Sequence, residues 1–221
     1  MALFNNKKID GGSVKLKEEQ MKDSEEKLIS ATKNRNFEMI RFLMNENGGD
    51  VNAMDENYKT ILMFAAYSGH FELLKYLVTH GAEVNAVDGH YKETALMKAT
   101  QSGHFDIVKY LIENHRADVN VVAKNGETVL MFAAYGGNFD IVKYLVENDA
   151  NVNAVDRNRW TVLMVAVTSG HLDIVKYLID HGADLNAMGG VYHNETALTK
   201  ATNYGHLEII KYLANVAKTT L

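Results

Sequence analysis

Four histidines are the side chains in this sequence most suited to metal binding or proton transfer. His70, His104, His171 and His206 lie 34, 67 and 35 residues apart, at the same place in successive copies of one pattern. A zinc ion binds imidazole nitrogens at about 2 Å, so its ligands must converge. Packed helices lie ~8–10 Å apart, so equivalent histidines in stacked copies cannot share one ion. The spacing therefore predicts structural histidines that hydrogen-bond locally at the start of a helix, with no metal site and no cofactor.

The other ionisable residues do not form a recognisable catalytic set. Each copy of the pattern carries an acid followed three residues later by lysine, which on a helix makes a solvated i,i+3 pair. These acids are Glu72, Asp106, Asp140, Asp173 and Glu208. No phosphate-binding loop, nucleophile elbow or metalloprotease motif is present, and the absence of cysteine excludes thiolate chemistry and disulfides. The sequence therefore predicts a protein that is not an enzyme.

The bulk composition argues against two further classes of partner. The formal net charge is −5 at pH 7, which provides no global basic field for nucleic acid. No window approaches 18 uninterrupted apolar residues, so no membrane span is expected. Residues 1–22 are polar and lack the apolar core of a signal peptide, and they predict a flexible tail or a short helix. A cytoplasmic protein is expected.

The elements that position these residues come from an internal repeat. A loop asparagine and a mid-repeat glycine both recur every 33 to 35 residues. The asparagines are Asn52, Asn85, Asn120, Asn153 and Asn186, and the glycines are Gly69, Gly103, Gly137, Gly170 and Gly205. A fixed period in this range indicates stacked supersecondary units. Each unit contains two apolar helices of about ten residues or fewer, which are stable only when they pack against neighbouring copies.

The repeated unit resembles the ankyrin repeat. The resemblance is carried by Thr60-Ile61-Leu62 and Thr128-Val129-Leu130, by the pairs Gly69-His70 and Gly170-His171, and by the closing loop from Gly182 to Ala187. It implies an all-α solenoid of stacked helix-turn-helix units with protruding β-turn fingers and a concave groove. The family's Thr-Pro-Leu-His is replaced here by sequences without proline, which lowers the stability expected at the helix start and leaves the fold unchanged.

The resemblance covers about residues 24–221 and implies one domain over residues 23–221. A capping unit spans residues 23–54, and repeats 1 to 5 span residues 55–87, 88–122, 123–155, 156–188 and 189–221. Repeats 2 and 5 carry longer fingers than the others. Gly81 and Gly182 are suited to end second helices in the left-handed conformation, and Asp149 stands at that place in repeat 3.

Positions that vary between repeats are the candidates for partner binding, because the stack does not dictate them. One position in the first helix carries Phe64, Lys98, Phe132, Val165 and Lys200. Lysine is costly to bury unpaired, so this position is expected to reach water and to leave Phe64 and Phe132 partly exposed. The finger tips Asn57-Tyr58 and Asn158-Arg159 lack the glycine found at Gly126, and a non-glycine residue at positive φ is uncommon.

By the resemblance, the variable residues lie on the fingers and the concave face, and aromatic and arginine side chains dominate interfaces. The predicted partner-binding residues are Lys59, Phe64, Tyr67, Tyr91, Lys98, Lys124, Phe132, Tyr135, Arg157, Arg159, Trp160 and Tyr192. The groove is mixed in charge and leans basic at Lys92, Lys98, Lys124, Arg157 and Arg159. This charge favours a partner with an acidic or amphipathic surface.

The sequence thus predicts a monomeric, non-catalytic protein–protein interaction module for a protein partner of unknown identity. It could be a cytoplasmic scaffold, an inhibitor of an enzyme, or a microbial protein delivered to a host cell. One alternative is a small-ligand-binding or catalytic protein on the same scaffold, which a deep enclosed pocket with convergent polar groups would favour. Another is a self-associating structural repeat protein, which the solution mass would test.

Overall fold

The structure, a computed structural model, describes residues 23, 26–34, 36–46, 49–115, 117–190 and 194–219. The predicted tail, residues 1–22, lies outside the described residues. Within the described residues the chain forms helices, turns and isolated β-bridges, and no sheet. The all-α prediction is therefore confirmed.

The described helices follow one another in pairs along the chain. They are α1 (26–33), α2 (Phe37–Glu46), α3 (Ile61–Tyr67), α4 (Phe71–Thr79), α5 (Ala95–Gln101), α6 (Phe105–His115), α7 (Val129–Tyr135), α8 (Phe139–Glu147), α9 (Val162–Ser169), α10 (Leu172–Asp180), α11 (Ala197–Tyr204) and α12 (Leu207–Thr219). In each pair from α3 onward, the first helix has seven or eight residues and the second has nine to thirteen. Helices this short need tertiary packing to persist.

A threonine caps every first helix from α3 onward. Its hydroxyl oxygen accepts a hydrogen bond from the backbone N–H three residues later, as Thr60 does from Met63 at 3.2 Å and Thr161 from Met164 at 3.1 Å. Such a cap contributes about 1 kcal/mol, and it is retained although proline is absent at the first helical position. The left-handed ends of the second helices are confirmed, with φ of 92° at Gly81, 87° at Gly182 and 65° at Asp149.

The helices stack in two rows. The first helices α3, α5, α7, α9 and α11 contact one another in that order, and so do the second helices α4, α6, α8, α10 and α12. Their apolar faces form one continuous core. One position of the first helix carries alanine in all five repeats and is fully buried in each, at Ala65, Ala99, Ala133, Ala166 and Ala201. The stacked solenoid is thus confirmed, and the repeat boundaries remain a prediction.

The fingers are linked by backbone hydrogen bonds between successive repeats. The N–H of Lys124 donates to Tyr91 O at 2.6 Å, and the N–H of Arg157 donates to Asn125 O at 2.9 Å. At the tips, Tyr58 and Arg159 adopt φ of 59° and 60°. The predicted positive φ at these two non-glycine residues is confirmed. Bonds of this kind hold the finger tips in register with the helix stack.

Candidate protein-binding groove

A groove of about 540 Å³ lies between the fingers and the first helices of repeats 2 to 5. It is called the finger groove below. Its lining residues are Gln101, Glu127, Met131, Phe132, Tyr135, Gly136, Asp156, Trp160, Val165, Thr168, Ser169 and Tyr204. The fingers supply Glu127, Asp156 and Trp160, and the helices or their ends supply the remainder. Because fingers and helices belong to one packed stack, the groove is formed by rigid elements.

The finger groove brings together several large aromatic side chains. Phe132 and Trp160 are half-buried in it, whereas Tyr135 is 73% exposed at its edge. Tyr204, which is 54% exposed, also lines the groove and was not predicted as a binding residue. Its signal in the sequence is that the equivalent position carries a small residue in the other repeats. Those residues are Ser68, Ser102, Gly136 and Ser169.

The other predicted binding residues lie beyond this groove. Tyr67 and Tyr91 are 59% and 51% exposed in repeats 1 and 2. Phe64 is half-buried, with the Lys33 ammonium 5.5 Å from its ring centroid, and Lys59 is also half-buried. The basic residues Lys124, Arg157 and Arg159 are exposed at the finger tips. Tyr192 lies outside the described residues.

Phe64 and Phe132 are partly exposed, as predicted, but the two first-helix lysines are largely buried, so the prediction that lysine is accepted at this position through exposure to water is wrong. The Lys98 side chain is 12% exposed and the Lys200 side chain 6% exposed. Lys98 pairs with the Glu93 carboxylate, and its ammonium lies 3.7 Å from Asp88. Lys200 pairs with Glu195 at 2.8 Å. A charged partner offsets the cost of removing an ammonium from water, so pairing rather than exposure admits lysine here.

The finger groove is acidic where the sequence predicted a basic character. Its charged lining residues are Glu127 and Asp156, and Lys98 is neutralised by its own repeat. Burial raises the pKa of Glu127 above its ordinary value, and the Asp156 and Glu93 carboxylates raise it further. A hydrogen bond from the Asn125 side chain acts in the opposite direction. The predicted basic residues Lys124, Arg157 and Arg159 are exposed at the finger tips, whereas the charged residues that line the finger groove itself are acids.

His104 and His206 bond to the preceding repeat instead of bonding locally, so the prediction of local hydrogen bonds is wrong for these two, and His70 Nε2 is buried with no hydrogen-bond partner among the described residues. The Nε2–H of His104 donates to Tyr67 O at 3.1 Å, and that of His206 donates to Thr168 O at 3.0 Å. Their rings lie over the mid-repeat glycine of the preceding repeat. A Cβ at Gly137, for example, would lie 2.4 Å from Cε1 of His171. Within the described residues, no three His, Cys, Asp or Glu side chains converge as a metal site.

The recurring tyrosines of the second helices pack between repeats. Tyr110 meets Phe71 edge-on with ring centroids 5.4 Å apart, and Tyr144 meets Phe105 at 5.5 Å. The Tyr144 hydroxyl is buried, and this burial, with the Glu113 charge nearby, raises the pKa of Tyr144 to about 12. The tyrosines thus belong to the scaffold and not to the candidate site.

Comparison with known families agrees with this geometry. The family model described as ankyrin repeats (3 copies) matches residues 28–123 and 115–189, which is well over half of the chain. A search among curated proteins gave no significant match. No helix in the part of the chain that the structure describes combines the length and apolar character needed to cross a bilayer. The family match, the stacked helix pairs and the linked fingers together show that this chain belongs to the ankyrin repeat family.

Proposed function

We propose that this protein is a non-catalytic interaction module that binds a protein partner through the finger groove and the finger tips. Ankyrin repeats are generally protein-interaction modules and are typically non-catalytic. The observation that carries the proposal is the clustering of exposed aromatic side chains in one groove, where Tyr135 is 73% and Tyr204 is 54% exposed. Aromatic side chains offer a large apolar area at a low cost in conformational entropy, and they dominate interface hot spots.

The proposed contact surface extends along the fingers of neighbouring repeats. Tyr67 and Tyr91 continue the aromatic surface towards repeats 1 and 2. Lys124, Arg157 and Arg159 form an exposed basic rim beside the finger groove. A partner segment that follows this surface would contact apolar side chains centrally and charges at the rim, which is the usual anatomy of a protein interface. Lys98 is excluded from this surface because its ammonium is already paired.

The shape of the finger groove favours a protein segment over an enclosed small molecule. Ligand pockets bury most of their ligand's surface. The finger groove is instead open along the edge formed by Tyr135 and Tyr204, both of which are more than half exposed. We also propose that the protein is a monomer and that it acts in the cytoplasm. The solution mass of the purified chain tests the monomeric state.

The proposal is tested by comparing the proteins captured by the wild type and by Tyr135→Ala from the same lysate. Tyr135 is largely exposed, so its truncation leaves the core intact, and capture of groove partners should fall about tenfold or more. Trp160→Ala should have a similar effect, but it also removes the ring against which Lys200 packs. Its folding must therefore be verified by thermal unfolding.

Phe42→Ala provides the matched control. Phe42 lies on α2, is 54% exposed and does not line the finger groove, so it removes a similar exposed aromatic at a distant place. Capture should be unchanged in this variant. Equal loss of capture in the Phe42 and Tyr135 variants, or equal retention in both, would show that the finger groove is not the docking surface.

A further inference from the structure

Three repeats carry a glutamate immediately before the threonine that caps the first helix. These residues are Glu93, Glu127 and Glu195, followed by Thr94, Thr128 and Thr196. Five residues after the glutamate, repeats 2 and 5 carry Lys98 and Lys200, whereas repeat 3 carries Phe132. The threonine hydroxyl accepts a hydrogen bond from the helix in all three, so each glutamate precedes the same kind of helix cap. The three repeats therefore differ in how their glutamate is neutralised.

Repeat 5 shows how this fold binds an ammonium group at that position. The Lys200 ammonium lies 2.8 Å from the Glu195 carboxylate and 3.7 Å from the centroid of the Trp160 ring. The residue is 5% exposed. A carboxylate on one side and an indole face on the other together stabilise a cation that has been removed from water. Repeat 2 does the same with carboxylates alone, where Lys98 is held by Glu93 and Asp88.

In repeat 3 the same carboxylate faces a groove instead of a lysine. No lysine or arginine among the described residues forms an ion pair with Glu127. Both charged residues that line the finger groove are acids, and Asp156 already accepts hydrogen bonds from the N–H groups of Asn158 and Trp160 at 2.8 Å. Glu127 accepts a hydrogen bond from the Asn125 side chain but has no cationic partner, so its carboxylate is the more available of the two to a cationic ligand.

We propose that the finger groove binds a lysine or arginine side chain of the partner protein, with Glu127 as its counter-ion and the rings of Phe132, Tyr135 and Trp160 around its alkyl stem. The inference rests on the proposed function and adds the chemistry of the partner. Charge complementarity selects this occupant, because the charged residues lining the groove are acids beside aromatic faces that attract cations. The partner's cation would pair with Glu127 in the way that Lys98 pairs with Glu93 and Lys200 pairs with Glu195 within the chain.

The surroundings of Glu127 also favour a cation over a neutral group. Glu93 and Asp156 lie close enough to repel its charge, and burial opposes ionisation as well. A cation placed beside Glu127 relieves all three effects at once. The exposed bases Lys124 and Arg157 lie at the finger tips, so acidic residues that flank the partner's cation could pair with them.

The test uses n-butylammonium chloride, which reproduces the end of a lysine side chain, and 1-butanol as its uncharged counterpart. Trp160 is the sole tryptophan, so its indole N–H gives one reporter resonance at the groove in NMR titrations at constant ionic strength. The wild type should bind n-butylammonium about tenfold more tightly than 1-butanol, and Glu127→Gln should bring the two affinities within about twofold. Glu147→Gln, which removes an exposed acid from α8, should behave as the wild type.

A second variant supplies the cation within the chain. Phe132→Lys places a lysine five residues after Glu127, as in repeats 2 and 5, and should abolish n-butylammonium binding. Phe132→Met, which removes the ring without adding charge, should weaken binding only partly. Equal affinities for n-butylammonium and 1-butanol in the wild type would overturn the inference, as would equal effects of the lysine and methionine variants. If partner capture still depends on Tyr135 in that case, the proposed function stands and the charge assignment alone is wrong.

Discussion

Repeats 2 and 3 each carry a glutamate before the capping threonine, but only the glutamate of repeat 2 is paired with a lysine of its own repeat. In repeat 2, Glu93 is 7% exposed, pairs with Lys98 and accepts a second hydrogen bond from the Gln101 amide at 2.5 Å. In repeat 3, Glu127 is half-buried beside Phe132 and the finger groove, and its pKa is raised. Both glutamates precede a threonine helix cap, but the finger of repeat 2 is longer, because its closing N–H to O hydrogen bond joins Asp88 to Glu93, whereas that of repeat 3 joins Ala123 to Glu127.

The two repeats are otherwise built alike. Ala99 and Ala133 are both fully buried at the same place in the stack. Thr94 and Thr128 cap their helices at 3.3 and 3.2 Å. Apart from the longer finger of repeat 2, the difference lies in the side chains that surround the two glutamates. A charge neutralised within its own repeat contributes to the stack, whereas one without such a partner is available to another molecule. Three predictions test this contrast.

The largest effect is expected for Lys98→Met. It leaves the Glu93 and Asp88 carboxylates buried without their cation, and removing one member of a buried ion pair costs about 3 kcal/mol or more. Urea unfolding of the wild type and the variant at neutral pH measures this loss. Lys75→Met is the matched control, since Lys75 pairs with Glu72 at 2.7 Å on the surface. Its expected cost is at most about 1 kcal/mol. Similar losses in both variants would show that Lys98 is no more structural than a surface lysine.

A smaller loss of unfolding free energy is expected when the buried alanine of a first helix is replaced by leucine, and the loss should be equal in repeats 2 and 3. Ala133→Leu should overpack the contact between neighbouring helices and cost about 1–3 kcal/mol in unfolding free energy. Ala99→Leu should cost about the same, because both alanines are fully buried at equivalent places. Thermal unfolding measures both variants. An unchanged melting temperature in Ala133→Leu would contradict the packing register, and unequal losses would show that repeats 2 and 3 differ in their cores as well as in the groove.

The residues that recur explain why the fold was predictable. Three kinds of recurring residue determine local structure or the contact with the next repeat. They are the capping threonines, the left-handed residues Gly81, Gly182 and Asp149, and the buried alanines. Such signals agree with one another in every copy, and agreement between local and global preferences is what specifies a fold. Even the uncommon positive φ of Tyr58 and Arg159 followed from comparing finger tips between copies.

The groove was less predictable because its character depends on pairs of variable residues. Lys98 and Lys200 are buried because each pairs with a glutamate five residues earlier in the sequence. The glutamate precedes the capping threonine and lies outside the helix, so the spacing of side chains on a helix does not predict this pair. The lysines alone suggested an exposed, basic position. Tyr204 reaches the groove because α11 packs on α9. The repeat period implies this helix contact, but it does not predict the direction in which the Tyr204 side chain points. The repeat period thus predicts where each residue lies in the stack, and the structure shows which side chains pair with one another.

The smallest effect, and the most direct comparison of the two glutamates, is expected for Glu127→Gln. The folded-state pKa of Glu127 lies above its reference value of 4.5, so the stability it contributes is present below that pH and is lost as pH rises through the raised pKa. Glu127→Gln should therefore match the wild type near about pH 4 and exceed it near about pH 7, by on the order of a few tenths of a kcal/mol after solvent screening. Urea unfolding at both pH values measures the difference. A variant less stable than the wild type at neutral pH would mean that Glu127 is already neutralised within the chain, as Glu93 is. The contrast between the repeats would then disappear, and with it the reason to expect a cation from a partner.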